Sequence, residues 1–241
     1  MADGFERSQT PVQLSLGVSL RDDATFANFY IAEGNELALH ALREFSAGEG
    51  EGNLVLWGSP GAGLTHLLQA CCHRAFEQRI SVQYLPLRDL VGSAPEDVCE
   101  GLDKVSLVCL DGIDQICGHR QWELAFFHLF NRLRDAGNRL LIASHTSPPS
   151  LPLLLPDFKS RLLGGVVYHL RALTDPEKAV ALQLRAKGRG MEMSDEVAKF
   201  ILSRAPRDTN DLFHLLDHLD DASLQQQRKL TIPFVKEVLA Y

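Results

Sequence analysis

The sequence holds no apolar run approaching the roughly 18 residues that a membrane-crossing helix needs, and its start lacks the basic-then-apolar order of a secretion signal. A soluble protein that stays in the cytoplasm is the expectation. Positive charge is also in short supply. Lys and Arg number 24 against 31 Asp and Glu, a net charge of −7, so the chain as a whole is not an obvious nucleic-acid binder. The five cysteines, Cys71, Cys72, Cys99, Cys109 and Cys117, are odd in number and fit no zinc spacing. They read as reduced, mostly buried thiols. No internal repeat is apparent. What remains is 241 residues, 45% of them hydrophobic, enough for one large domain or two small ones.

Two further absences are local and chemical. Residues 54–57 form a short apolar run, followed by glycines at Gly58, Gly61 and Gly63 and then an apolar helical pattern from Thr65. Strand, glycine loop, helix is the setting of a phosphate-binding P-loop. Glycines let backbone N–H groups curl around an anion, and the helix start adds its own free N–H groups and dipole. Gly58, Ser59, Pro60, Gly61, Ala62, Gly63, Leu64, Thr65 and His66 are the nucleotide-site candidates of this stretch, with Thr65 where a Mg²⁺-binding hydroxyl belongs. The usual lysine is missing, replaced by Leu64. Downstream, the apolar run Val105–Leu110 ends in Asp111, a Walker B pattern that would help to hold Mg²⁺. The next position, often a water-polarising glutamate, is Gly112. Phosphate binding can survive both losses, but efficient hydrolysis is disfavoured because charge stabilisation dominates phosphoryl transfer. The bland alternatives are a ligand-free glycine turn and a helix cap at Asp111.

The remaining pattern alternates strands and helices. Helices are expected over 33–46, 64–78 and 120–136, one or two short ones within 88–103, and strands at 82–85, 105–110, 139–144 and 166–170. This implies a largely parallel sheet with helices on both faces. The aromatics Phe26, Phe29 and Tyr30, with Ile31, are either core or the wall of a base pocket. Ser144 and His145 end a strand where a phosphate sensor would sit, or are simply a polar strand end. Residues 157–162 read as a short helix. After Leu173 the pattern becomes helical throughout, over 176–190, 194–204, 207–224 and 231–240, with caps at Thr174 or Asp175 and at Thr231. The expected organisation is an N-terminal arm, 1–22; an α/β nucleotide-binding domain, 23–173; and a helical lid, 174–241.

The order of these parts resembles the AAA+ superfamily, and within it the DnaA-related branch and the Hda family, regulatory inactivators of DnaA. The segments carrying the resemblance are Gln13-Leu14-Ser15-Leu16, residues 23–29, Gly61-Ala62-Gly63 with His66-Leu67-Leu68, residues 107–111, Ser160-Arg161-Leu162 and residues 228–237. The resemblance implies several roles. Gln13, Leu14 and Leu16 match a peptide that binds the β sliding clamp of the replicase, an extended-peptide mode, with Gly17 where a proline or aromatic is common. Arg161 matches an arginine finger acting in trans, although on its own terms it could be a surface salt bridge. The lid's sensor arginine aligns with Asn210, and Arg207 stands one turn earlier as a substitute in the nucleotide site. The chain stops at Tyr241, without the further helix-turn-helix of DnaA, so DNA contact is expected only through the clamp.

The expectation is therefore a regulator with a bound nucleoside diphosphate, ADP first, with Mg²⁺ as an optional companion, and with little hydrolysis of its own. It would act on ATP held by DnaA while tethered to the clamp, and it could pair with a second copy. The rival is a self-sufficient DnaA-like or helicase-loader ATPase. A third reading is a scaffold that binds clamp and DnaA but no nucleotide.

Overall fold

The computed structural model describes residues 20–204 and 209–239, without the side chains of 209 and 210. Gln13, Leu14, Leu16 and Arg207, and the side chain of Asn210, lie outside the described residues. The body is built on five short strands: β1 (Asn53–Trp57), β2 (Val82–Pro86), β3 (Leu107–Asp111), β4 (Arg139–Ser144) and β5 (Val166–His169). They form one parallel sheet in the order β2-β3-β4-β1-β5. Its helices are α1 (Glu36–Ser46), α2 (Leu64–Glu77), α3 (Leu87–Leu90), α4 (Pro95–Cys99), α5 (Arg120–Asp135) and α6 (Pro156–Leu163).

Alternation along the strands splits the core into two layers. Leu54, Leu56, Cys109, Leu141 and Ala143 face one way and pack with α1 and α2. Val55, Val108, Leu110, Leu140 and Ile142 face the other and pack with Trp122, Phe126 and Phe158. Strands buried on both faces read as continuous apolar runs, as parallel strands should. Because all strands run the same way, their C-terminal ends share one edge. Trp57 stands in register with Ser144 and His169, and Asp111 with Ala143.

Most elements fall within a residue or two of their expected limits. The first helix starts later, at Glu36, because a turn at Glu33-Gly34 intervenes, where Gly34 takes a positive φ of 87°. Pro86 closes β2 from inside the strand, paired with Asp111 at the sheet edge. The stretch 88–103 resolves into α3, α4 and a 3₁₀ turn at Leu102–Lys104.

Four helices make the lid: α7 (Asp175–Gly188), α8 (Asp195–Arg204), α9 (Thr209–Gln226) and α10 (Ile232–Val238). They enclose a separate core of Leu182, Ile201, Leu216, Leu219 and Phe234. Thr174 and Glu177 form a capping box that starts α7, and Thr231 caps α10. The Glu177 carboxyl is held down at about 2, first by its hydrogen bond from Arg171 and then by Thr174.

One ionic cluster joins the lid to the segment 20–31 ahead of α1, called the arm from here on. Asp23, on the arm, accepts from Arg185 within α7, from Arg189 just past its end (2.7 Å), and from Arg21 (3.1 Å). Arg189 also meets Asp217 of α9 at 2.5 Å. Burial works against charge on Asp23, but Arg189, Arg185 and Arg21 outweigh it and hold the carboxyl well below the usual range. Arg185 is only 4% exposed. Asp23→Ala therefore strands a buried guanidinium, and we expect it to cost about 3 kcal/mol in urea unfolding, with Asp23→Asn recovering part of the loss.

Candidate functional site

The loop between β1 and α2 has the geometry of an anion cradle. Gly61 and Gly63 take positive φ of 78° and 98°, and Gly63 caps α2 in a left-handed conformation. A Cβ on Gly63 would lie 2.6 Å from the Phe29 ring, and one on Gly58 would lie 2.5 Å from the Leu170 carbonyl. Gly63 therefore needs to be glycine for close approach as much as for torsion, and Gly58 for close approach. Among the described residues, the backbone N–H groups of Gly61, Gly63, Leu64, Thr65 and His66 have no hydrogen-bond partner. Buried or half-buried N–H groups rarely stay unpaired, and a cluster of them at a helix start is a site for an anion.

Leu64 borders the cavity at this loop but is mostly taken up by the core. It is 3% exposed and packs in the α1–α2 layer of the core. The position that usually delivers a cation has become a core position. Thr65 and Asp111 are nevertheless neighbours, close enough for the threonine hydroxyl to help hold the carboxyl down. The Tyr84 hydroxyl donates to Asp111 Oδ2 at 2.6 Å. Gln69 lies beside the same phenol and accepts from the Arg21 N–H at 3.1 Å. A polar chain thus runs from the arm through α2 to the end of β3. Burial raises the Asp111 carboxyl, opposed by the bond from Tyr84 and by the nearby Thr65 hydroxyl; burial and the Asp111 charge raise the Tyr84 phenol. These residues fit a phosphate with an associated divalent cation: the loop N–H groups would hold the phosphate, and Thr65 and Asp111 the cation, whose contribution is to neutralise phosphate charge.

A cavity opens between the arm, the start of α2 and the lid. Phe29, Tyr30, Gly61, Ala62, Gly63, Leu64, Thr65 and His66 line it, as do Arg185 and Phe213 from the lid. Gly58, Ser59, Pro60, Ile31 and Asp111 are outside that lining; Ile31 is exposed and Phe26 packs with the core. The Arg185 guanidinium lies over the Phe213 ring at 4.5 Å. His66 sits 5.3 Å from Phe29, ring to ring, with Nε2 2.8 Å from the Thr25 carbonyl, an arrangement in which the neutral ring donates from Nε2.

At the end of β4 the two polar residues divide their tasks. Ser144 is buried and closes a local turn, donating to the Thr146 carbonyl (2.7 Å) and accepting its N–H (3.1 Å). His145 lines the cavity, with Nδ1 3.3 Å from the Gly58 carbonyl and its N–H on Asp114 at 2.9 Å. Gly112, at φ 82°, starts the 3₁₀ turn Ile113–Ile116. Arg161 stands apart from all of this, exposed on α6, and among the described residues no hydrogen bond or ion pair engages its side chain. The four cysteines Cys71, Cys72, Cys99 and Cys109 are buried, and burial lifts the Cys99 thiol to about 12. Among the described residues no group of His, Cys, Asp and Glu is placed to hold a metal by itself, and no helix is long and apolar enough to cross a membrane.

Nothing local in the sequence marks the roles of Asp23, Gln69, Tyr84 and Arg185. Each comes from a different element, and only the fold brings them together. Tyr84 faces the α2 layer from β2, but no short-range signal points it at Asp111.

Residues 20–169 match the family described as the bacterial DnaA ATPase domain. Residues 175–239 match the one described as Hda, lid domain. Across 92% of its length the chain superimposes on 98% of domain III of the Thermotoga maritima replication initiation protein DnaA, with TM-score 0.78 and 24% identity. For AMPPCP-bound DnaA from Aquifex aeolicus the values are 82% of this chain and 65% of that chain, TM-score 0.70 and 25% identity. The Thermotoga maritima RuvB Holliday junction branch migration motor shares the fold at TM-score 0.66 and 17% identity, over 90% and 71% of the two chains. Fold and loop together define an AAA+ nucleotide-binding domain of the DnaA type. With its lid included, the chain belongs to the Hda family of DnaA-related proteins.

Two measurements probe the site. Burial, assisted by Arg185, holds the His66 imidazole down at about 4 against its ordinary 6.5, despite the opposing bond to Thr25. Between those values the unfolded chain takes up a proton that the folded one refuses, so stability rises with pH across that window and falls on acidification. Urea midpoints recorded from pH 7 to 4.5 should drop for the native chain, and His66→Gln should show a flatter dependence. For Leu64→Lys, loss of core packing should lower ligand-free stability by about 1–3 kcal/mol, and a nucleoside diphosphate should raise the melting temperature of this variant more than that of the native chain.

Proposed function

We propose that this protein is a nucleotide-bound regulator that triggers hydrolysis of ATP held by DnaA, and that Arg161 is the group that acts. The observation that carries this reading is a contrast of charge. The loop offers N–H donors to a phosphate while its cation position, Leu64, is buried in the core; an exposed arginine on α6 has no partner among the described residues. An unpaired surface arginine next to an AAA+ core is free to enter a neighbour's nucleotide site.

In the bound state the loop N–H groups of Gly61 and of Gly63 to His66 hold the diphosphate, Phe29 and Tyr30 flank the base, and Thr65 and Asp111 serve the cation. ADP is the expected ligand, because a site without the lysine and the glutamate holds product better than it makes it. The diphosphate braces the lid against the arm. In the neighbouring DnaA, water attacks the γ-phosphorus, the bond to the β–γ bridging oxygen breaks, and ADP and inorganic phosphate leave. Arg161 offsets the negative charge that builds on those oxygens. Arginines supplied in this way accelerate hydrolysis by roughly 10³–10⁵-fold in GTPases. Gln13, Leu14 and Leu16 tether the protein to the β sliding clamp, so DNA is reached through the clamp. The result is ADP-bound DnaA and suppression of renewed initiation.

Phosphate release from ATP-loaded DnaA, with clamp and DNA present, tests the reading. Arg161→Ala should lose most of the stimulation, by at least roughly 10²-fold, while keeping its fold and its nucleotide. Full stimulation by that variant would end the assignment. The placement of Thr65 beside Asp111 favours a second reading, a self-sufficient ATPase, since it keeps the two residues that would serve a cation. Brisk ATP turnover by the isolated chain would select it.

A further inference from the structure

Glu123 has no part in the nucleotide site, yet it is the most completely enclosed carboxylate among the described residues, at 0% exposure. It lies in the first turn of α5. No arginine or lysine pairs with it among the described residues; three backbone N–H groups engage it instead. Oε1 accepts from Gly118 at 2.9 Å, and Oε2 accepts from Leu154 at 2.8 Å and Leu155 at 2.9 Å. Hydrogen bonds to a buried charge are among the stronger ones, and they are directional.

The partners belong to two segments of separate interest. Gly118 ends the stretch that leaves the sheet edge at Asp111 and passes through the 3₁₀ turn Ile113–Ile116. Leu155 is the residue that enters α6, and its own side chain provides no cap for the helix. Phe158 and Leu162 anchor the buried face of α6, and Lys159 bonds the Leu151 carbonyl at 3.2 Å. The Arg161 side chain is tied to nothing among the described residues, so the place of its guanidinium is set by where the α6 backbone begins. Glu123 is the side chain that pins that beginning to the segment following Asp111.

We propose that Glu123 is the positioning residue for Arg161: by holding Gly118, Leu154 and Leu155 on one carboxylate it sets α6 at the height and tilt that deliver the arginine to a neighbour's nucleotide. This rests on the finger reading above. A displacement of about 1 Å in a group that acts on a transition state can cost roughly 10²-fold in rate. The carboxylate also ties the arginine's helix to the segment that starts at the chain's own Asp111.

The test compares Glu123→Ala, Glu123→Gln, Arg161→Ala and the double variant Glu123→Ala/Arg161→Ala in stimulated phosphate release from ATP-loaded DnaA with clamp and DNA. The maximal rate at saturating regulator should fall roughly 10²-fold in Glu123→Ala, with the half-saturating concentration nearly unchanged. Glu123→Gln, which keeps one acceptor oxygen, should lie between. The double variant should be no slower than Arg161→Ala alone. Melting curves and retained nucleotide verify folding, and if Glu123→Ala does not fold, Glu123→Gln carries the comparison. Full rate in Glu123→Gln and Glu123→Ala beside an inactive Arg161→Ala overturns this proposal and leaves the finger standing, as does a double variant clearly slower than Arg161→Ala. Full rate in Arg161→Ala overturns the finger reading, and this proposal with it.

Discussion

Five backbone N–H groups without partners among the described residues, gathered where β1 turns into α2, are the feature around which the rest is arranged. Such a cluster at a helix start suits an anion, because its free donors and the helix dipole point the same way. Nearly every neighbouring choice agrees with that. Glycines stand where the chain must curl or where Phe29 and Leu170 press against it. The Asp111 carboxylate and the Thr65 hydroxyl lie beside one another at the same sheet edge. What is withheld is the strong positive charge inside the loop, and with it the main means of lowering a barrier to phosphoryl transfer. Holding and splitting a phosphate make different electrostatic demands, and the proposed function rests on that difference.

The surrounding structure converts a filled pocket into a fixed shape. The arm crosses α2 and is fastened to the lid through Asp23, while the chain from Arg21 through Gln69 and Tyr84 reaches Asp111. A ligand lying among arm, loop and lid touches all three bodies at once. On the far side of the sheet edge, Glu123 performs a comparable joining between the segment after Asp111 and α6. Both junctions rest on carboxylates, one met by guanidinium groups and the other by peptide N–H groups. The difference in partners matches their surroundings: Asp23 is partly reached by water, whereas Glu123 is sealed.

The architecture was largely legible in the residues. Continuous apolar runs marked the parallel strands, glycine spacing marked the loop, and cap residues at Thr174 and Thr231 marked lid helices, because each of these signals is local. The site was legible in part, for the same reason: Gly61 to His66 with Phe29 and Tyr30 line one cavity. The ionic and hydrogen-bonded partners were not legible, since Asp23 meets Arg185 across 162 residues and Tyr84 meets Asp111 across 27. Nor was the division between Ser144 and His145, which is settled by a turn that consumes the serine hydroxyl. Leu64 is the instructive case. As a letter it is a missing lysine; in the fold it is a packed side chain, and only the second fact explains why the change is tolerated.

The lie of the arm along α2 has a mechanical side. Arg21 touches Gln69 and His73, Thr25 touches His66, and Phe29 rests on Gly63, so the arm runs antiparallel to the helix with contacts spread over its length. A tug along the arm's own axis, from whatever its N-terminal end grips, loads those contacts side by side in shear instead of opening them one after another like a peeled tape. Fastenings loaded in shear share tension and fail together at a higher force, so strain on the arm is carried into α2 and the lid.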